Sequence, residues 1–135
     1  YVVMSVDAES CRIGIWIDFE NLIQGHPNAE YYNIDQEFTP ILARIQEWRR
    51  KYLPNSAIVR KFAFANWSDP SFERFPNELS RFGVSIEKHL QAHRFVKNAA
   101  DIALVAHVLQ FAFLQKLAVQ NNQKSESNCI THFLL

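Results

Sequence analysis

The segment RIGIWID at residues 12–18 most constrains how this chain can fold. Ile13, Ile15, Trp16 and Ile17 form a nearly continuous apolar run that stops at Asp18. A strand with one wet face alternates apolar and polar residues. A strand without a wet face must be covered on both sides, as happens in parallel sheets flanked by helices. The rest of the chain supplies the covering layers. Apolar residues at helical spacing run through Phe38, Ile41, Leu42, Ile45, Trp48 and Tyr52. A second strand follows at 56–65, a helix at 71–82, a third strand at 84–90, a long helix at 99–117 and a fourth strand at 129–135. The order β-α-β-α-β-α-β predicts an α/β three-layer sandwich around a mainly parallel central sheet of about four strands.

Local chemistry sets the expected boundaries. Thr39-Pro40 suits a helix cap followed by proline at the first helical position, and Pro54 stops that helix. Arg49-Arg50-Lys51 sits in its last turn, where cations meet the negative end of the helix dipole. A loop is expected from Asp18 through Gly25, His26, Pro27 and Asn28. Gly83 is the expected left-handed residue after the 71–82 helix. The 99–117 helix is apolar on most sides, so it is expected to lie wedged between the sheet and another layer. Asp101, His107 and Gln110 interrupt it, which argues against a membrane span.

At 135 residues with 48% hydrophobic side chains, the chain is expected to be one domain, 1–135, with 1–11 as a leader. Three glycines cannot assemble GxGxxG or GxxxxGK[ST], so a glycine-rich phosphate loop is excluded. The two cysteines, Cys11 and Cys129, offer no CxxC knuckle and no disulfide framework, and suit reduced thiols in a cytoplasmic protein. No basic stretch followed by an apolar run opens the chain, so no signal peptide is expected. Fourteen basic and fourteen acidic residues cancel, which excludes a polybasic binder but leaves room for a local basic patch.

Two segments can carry chemistry. In IDFEN, Asp18, Glu20 and Asn21 stand at the carboxyl end of the first strand, where such sheets bind ligands. Hard cations take oxygen ligands from one or two carboxylates plus water and phosphate. The same three residues also suit a strand end capping a turn. In KNAAD, Asn98 can cap the last helix, and Asp101 then favours its positive pole. The functional alternative sets Asp101 across the sheet edge from Asp18, both on one metal, with Lys97 touching a phosphate. Between these segments, Lys88, His89, His93, Arg94 and Lys97 form a basic stretch. Its cations can neutralise phosphates, and Phe95 can stack on an unpaired base. The bland reading is a solvated loop. His89 and His93 have zinc-like spacing but straddle a strand end and a loop. His107 fits a core histidine with one hydrogen bond better than it fits a metal ligand.

IDFENL followed by KNAADIAL resembles the NYN family of the PIN-like nuclease superfamily, in its LabA-like branch. Trp67, FPNEL at 75–79 and GVSI at 83–86 fit the same pattern, and the resemblance runs from about Arg12 to about Leu117. It implies a PIN-like fold and a metal-dependent ribonuclease that uses Mg²⁺ or Mn²⁺ to hydrolyse RNA phosphodiesters. On matching positions Asp18 and Asp101 are the catalytic and metal-binding acids, with Glu20 a weaker ligand. Asn21 is the polar companion of Asp18, and Lys97, Arg94 and Phe95 would touch RNA.

Two departures matter. His107 stands where the family carries a further acid. The sequence reaches Phe133-Leu-Leu135 where the family's Ser-Gly-Asp-x-Asp-Phe segment would begin. Two acids alone would hold a metal weakly, so either the sequence is cut short or this copy has lost activity. Two principal readings follow: a ribonuclease, or a catalytically impaired NYN-like module that binds RNA or protein. A haloacid-type phosphatase ranks last, because it would want Asp at position 20. No membrane partner is expected. A homodimer through an exposed sheet edge is a further expectation.

Overall fold

A computed structural model describes residues 11–27, 29–87, 99–123 and 129–134. The first strand, β1 (Cys11–Asp18), runs directly into the short helix α1 (Phe19–Gln24). The chain then passes through a π-helical turn, Ile34–Phe38, into α2 (Thr39–Tyr52). Strand β2 (Ser56–Phe64), helix α3 (Phe75–Ser80) and strand β3 (Ser85–Ile86) follow. The long helix α4 (Ala99–Gln120) leads to β4 (His132–Leu134). The sheet has four strands in the order β3-β2-β1-β4, every pair parallel. The predicted three-layer α/β class is the observed one.

Strand order explains the layers. From β1 the chain steps outward to β2 and β3 in one direction, then returns past both to place β4 on the far side of β1. Crossovers of one hand put the helices of the outward steps on one face and the returning helix on the other. The two cores match. One joins Phe19 and Ile23 of α1, Ile34, Phe38, Phe75 and Leu79 against Ala63. The other joins Trp16, Phe62 and Phe64 of the sheet to Leu104 of α4 and to Ile130. As its sequence implied, β1 is covered on both sides: Ile13, Ile15 and Trp16 are all buried.

Several boundaries differ from expectation, each for a physical reason. Residues 19–24 are helical rather than loop. Asp18 caps the helix through its side chain, and Phe19, Leu22 and Ile23 share one apolar face. Thr39 is not the N-cap of α2 but its first residue, directly continuing the π-helical turn. The π-helical turn before it already supplies carbonyl acceptors, and Asn33 caps that turn by accepting from the Gln36 amide at 3.2 Å. The 71–82 helix divides into a 3-10 turn, Pro70–Phe72, and α3. Pro76 has no N–H to continue a single helix. Gly83 does take the left-handed conformation, φ +65°. The Val84 amide bonds back to Leu79 O at 3.2 Å, closing a Schellman-type end. Strand β4 starts at His132 rather than at Cys129.

The expectation for α4 is overturned in one respect. By length and composition Ala100–Gln120 could cross a membrane, with mean hydropathy 1.7. In the structure it lies along the sheet, and only one of its faces is covered. Ile102, Val105, Leu109 and Phe113 are each more than half exposed. No second layer wedges the helix among the described residues.

Trp16 is the main tie between α4 and the sheet. Its ring stacks on Phe133 at 5.1 Å and meets Phe111 of α4 edge-on at 5.7 Å. Room for that ring comes from Gly14. A Cβ there would lie 2.3 Å from a Trp16 ring carbon and 3.0 Å from Ile130 Cδ1. Gly14→Ala is expected to push the indole out of place and destabilise the fold by about 1–3 kcal/mol, the range for overpacked cores. Urea denaturation followed by tryptophan fluorescence measures this; an unchanged midpoint would show that the ring can move aside at no cost.

Candidate active site

Strand order fixes where a ligand can sit. In an open parallel sheet the crevice opens beyond the carboxyl ends of the strands, where neighbouring connections run in opposite directions. Here that point lies at β1, with β2 on one side and β4 on the other. Asp18 is the last residue of β1.

Asp18 is held tightly. Its Oδ1 accepts from the Asn21 backbone amide at 3.0 Å, and its Oδ2 accepts from Asn21 Nδ2 at 2.6 Å. The capping role and the functional role expected for this residue are therefore not alternatives. The cap orients the carboxylate, and Asn21 serves as its polar companion.

Asp101 stands in the first turn of α4, and its carboxyl is in hydrogen-bonding contact with that of Asp18. Sequence separation is 83 positions, so only the return crossover brings them together. The contact raises the Asp101 pKa above its ordinary 3.8. The hydrogen bond from protonated Asp101 to Asp18 is the largest cause, followed by repulsion from Asp18, desolvation and repulsion from Glu20. Two carboxylates this close favour sharing one proton, or a cation in its place.

Glu20 is engaged elsewhere. Its Oε2 accepts from the Asn66 backbone amide at 3.0 Å, and its Oε1 accepts from Gln24 Nε2 at 3.2 Å. It contributes negative potential to Asp101. Among the described residues, no three His, Cys, Asp or Glu side chains form a group that could hold a metal.

His107 is a packing histidine. Trp16 Nε1 donates to its Nδ1 at 2.9 Å, and Phe62 and Phe64 lie against its ring at 4.9 and 5.5 Å. Its Nε2 faces Glu87 Oε1 at 3.7 Å. Arg94, Phe95 and Lys97, together with His89, His93 and Asn98, lie outside the described residues. A groove of about 390 Å³ beside the acids is lined by Glu20, Gln24, Glu30, Asp69, Ser71 and Arg74, among others. Its guanidinium is occupied by carbonyls: Arg74 donates to Tyr32 O at 2.7 Å and to Glu30 O at 3.4 Å. With three carboxylates on its walls, that groove does not suit a phosphate.

Sequence reasoning missed two participants: the Asn66 amide that holds Glu20, and Glu87 opposite His107. Both follow strands at their carboxyl ends, and that position was the available signal.

The sequence pattern of the NYN domain matches residues 12–121. The chain belongs to the NYN domain family, and its parallel sandwich is PIN-like. No curated protein and no solved structure gives a significant match.

The acid pair makes stability depend on pH. The folded state binds the Asp101 proton more tightly than the unfolded chain does, because the folded pKa is raised. That stabilisation is complete below the unfolded value of about 3.8 and is lost as pH rises through the folded value. Asp101→Asn keeps a hydrogen-bond donor without the charge. Thermal melts from pH 3 to 7 are expected to show wild type losing stability relative to this variant as pH rises. Parallel curves would mean that the two carboxyls do not interact in solution.

Proposed function

We propose that this NYN domain, of the LabA-like branch, is a metal-dependent ribonuclease whose centre is Asp18 and Asp101. The supporting observation is the contact of these two carboxyls at the carboxyl edge of β1, on a fold of the nuclease-type NYN family.

The donor set fits a hard divalent ion. Both donors are carboxylate oxygens, and they approach closely enough to raise the proton affinity of one. A Mg²⁺ or Mn²⁺ ion suits such a pair, since these ions keep several waters and take the rest of their shell from one or two carboxylates and substrate phosphate. Asp18 and Asp101 would hold the ion, and Glu20 would add negative potential from its place on Asn66. When bound, the ion supplies Lewis acidity and a bound water of lowered pKa. Asn21 orients Asp18 by donating twice to it. Trp16 and His107 anchor α4 and so hold Asp101 at the edge. Lys97 and Arg94 would neutralise RNA phosphates, and Phe95 would stack on an unpaired base.

Asp18→Asn is expected to abolish Mn²⁺-dependent cleavage of single-stranded RNA, by roughly 100-fold or more, while circular dichroism stays native. Cleavage at the wild-type rate would remove Asp18 from the mechanism.

A second reading has its own observation. Among the described residues no third ligand joins the pair, so the domain could bind RNA without cutting it. In that case RNA affinity would fall steeply with salt while no product forms at any Mn²⁺ concentration. Under either reading Arg94→Ala with Lys97→Ala should flatten the slope of log affinity against log salt by roughly 1–2. An unchanged slope would take both cations out of the interface.

A further inference from the structure

Helix α4 has an outer face that the sheet leaves bare. Ile102 is 63% exposed, Val105 51%, Leu109 66% and Phe113 61%. They recur at i, i+3, i+7 and i+11, which is one stripe along a helix. The buried face lies opposite, through Leu104 and Gln115. Scattered apolar residues on a surface are ordinary, but a continuous stripe marks an interaction site.

We propose that α4 is a dimerisation helix and that its occupant is α4 of a second copy, packed antiparallel about a two-fold axis through Leu109. Surface area sets the first constraint. A side chain of this size exposes about 200 Å² when bare. The four exposures then leave roughly 500 Å² of apolar surface per copy. Two copies cover roughly 1,000 Å², the lower bound for a specific interface.

Charge sets the direction. The ionisable residues of α4 are Asp101 near its start, His107 on the inner side and Lys116 near its end. Parallel pairing would set Asp101 against Asp101 and Lys116 against Lys116. Antiparallel pairing sets unlike charges together, which favours that register. Residues whose numbers sum to twice 109 then meet. Leu109 meets itself, small Val105 meets large Phe113, and Ile102 meets the aliphatic stem of the partner's Lys116. The ammonium of that lysine reaches the Asp101 end of the first copy. The chain has no net charge to oppose association.

The same composition disfavours a lipid surface as occupant. Helices that lie in the headgroup layer carry several Lys or Arg on their polar side. Here α4 carries one, and the opposite side of the helix is occupied by the sheet.

Sedimentation equilibrium of the 135-residue chain at tens of micromolar tests this. The expected mass is twice 15.7 kDa. Leu109→Asp is expected to raise the dimer dissociation constant by at least ~100-fold, because the two-fold axis would bury a carboxylate against its own copy. Its circular dichroism should stay native, since position 109 is mostly exposed. Lys116→Glu should weaken the dimer several-fold, with the larger effect at low salt. Mixing Val105→Cys and Phe113→Cys chains should give a 105–113 disulfide, identified by mass spectrometry. A dominant 105–105 disulfide from Val105→Cys alone would overturn the antiparallel register. A monomer at 100 µM would overturn the proposal, as would a dimer that survives Leu109→Asp and so uses another surface such as the β4 edge. Sedimentation with phosphatidylserine vesicles, abolished by Leu109→Asp, would assign the face to a lipid surface instead.

Discussion

The hydrogen bond from the Trp16 indole to His107 ties the two halves of this molecule together. It joins the central strand to the returning helix at 2.9 Å, inside a cage of aromatic rings from Phe62, Phe111 and Phe133. His107 lies six residues beyond Asp101, about 9 Å along the helix axis at 1.5 Å per residue. A helix is stiff over that distance. Fixing its side at His107 therefore fixes its start at Asp101, and Asp101 meets Asp18. The contact rests in turn on Gly14, whose missing Cβ leaves space for the indole.

This arrangement separates the anchoring of the site from its chemistry. Asp18 is oriented locally by Asn21, three residues along the chain. Asp101 is placed by tertiary packing one and a half turns away. Two like charges are thereby brought together at the partly exposed edge of the sheet, at a cost that a shared proton offsets. Under the proposed function, excess negative charge held in this way would suit a cation, and an all-oxygen donor set would favour a hard one.

Helix α4 also shows how one element serves different neighbours. Its inner side carries Leu104, Val108, Phe111 and Gln115. Gln115 accepts from the Ile130 amide at 2.7 Å and so helps seat the chain just before β4. Its outer side is apolar as well, which is why the helix has almost no amphipathic signature in sequence. An apolar surface with no charge to repel its copy is free to associate, and the only charged ends of the helix are opposite in sign.

Sequence patterning by itself determined the alternation of strands and helices, because the 3.6-residue and uninterrupted apolar patterns are set by local geometry. It also determined that Asp18 stands at a strand end and that Gly83 adopts a left-handed turn. Other features depended on contacts far apart in the chain. The helical turn at 19–24 forms because Phe19 and Ile23 find a core, and so short a segment has too few residues to announce itself. Glu20 turned to Asn66 because the fold brings a backbone amide from just past the end of β2 within hydrogen-bonding reach of it. The bare face of α4 could not be distinguished from a buried one, since hydrophobicity records what a side chain avoids and not whether anything covers it. Only the tertiary structure, by placing β4 beyond β1 and returning the chain across the opposite face, decided that residues 18 and 101 should touch.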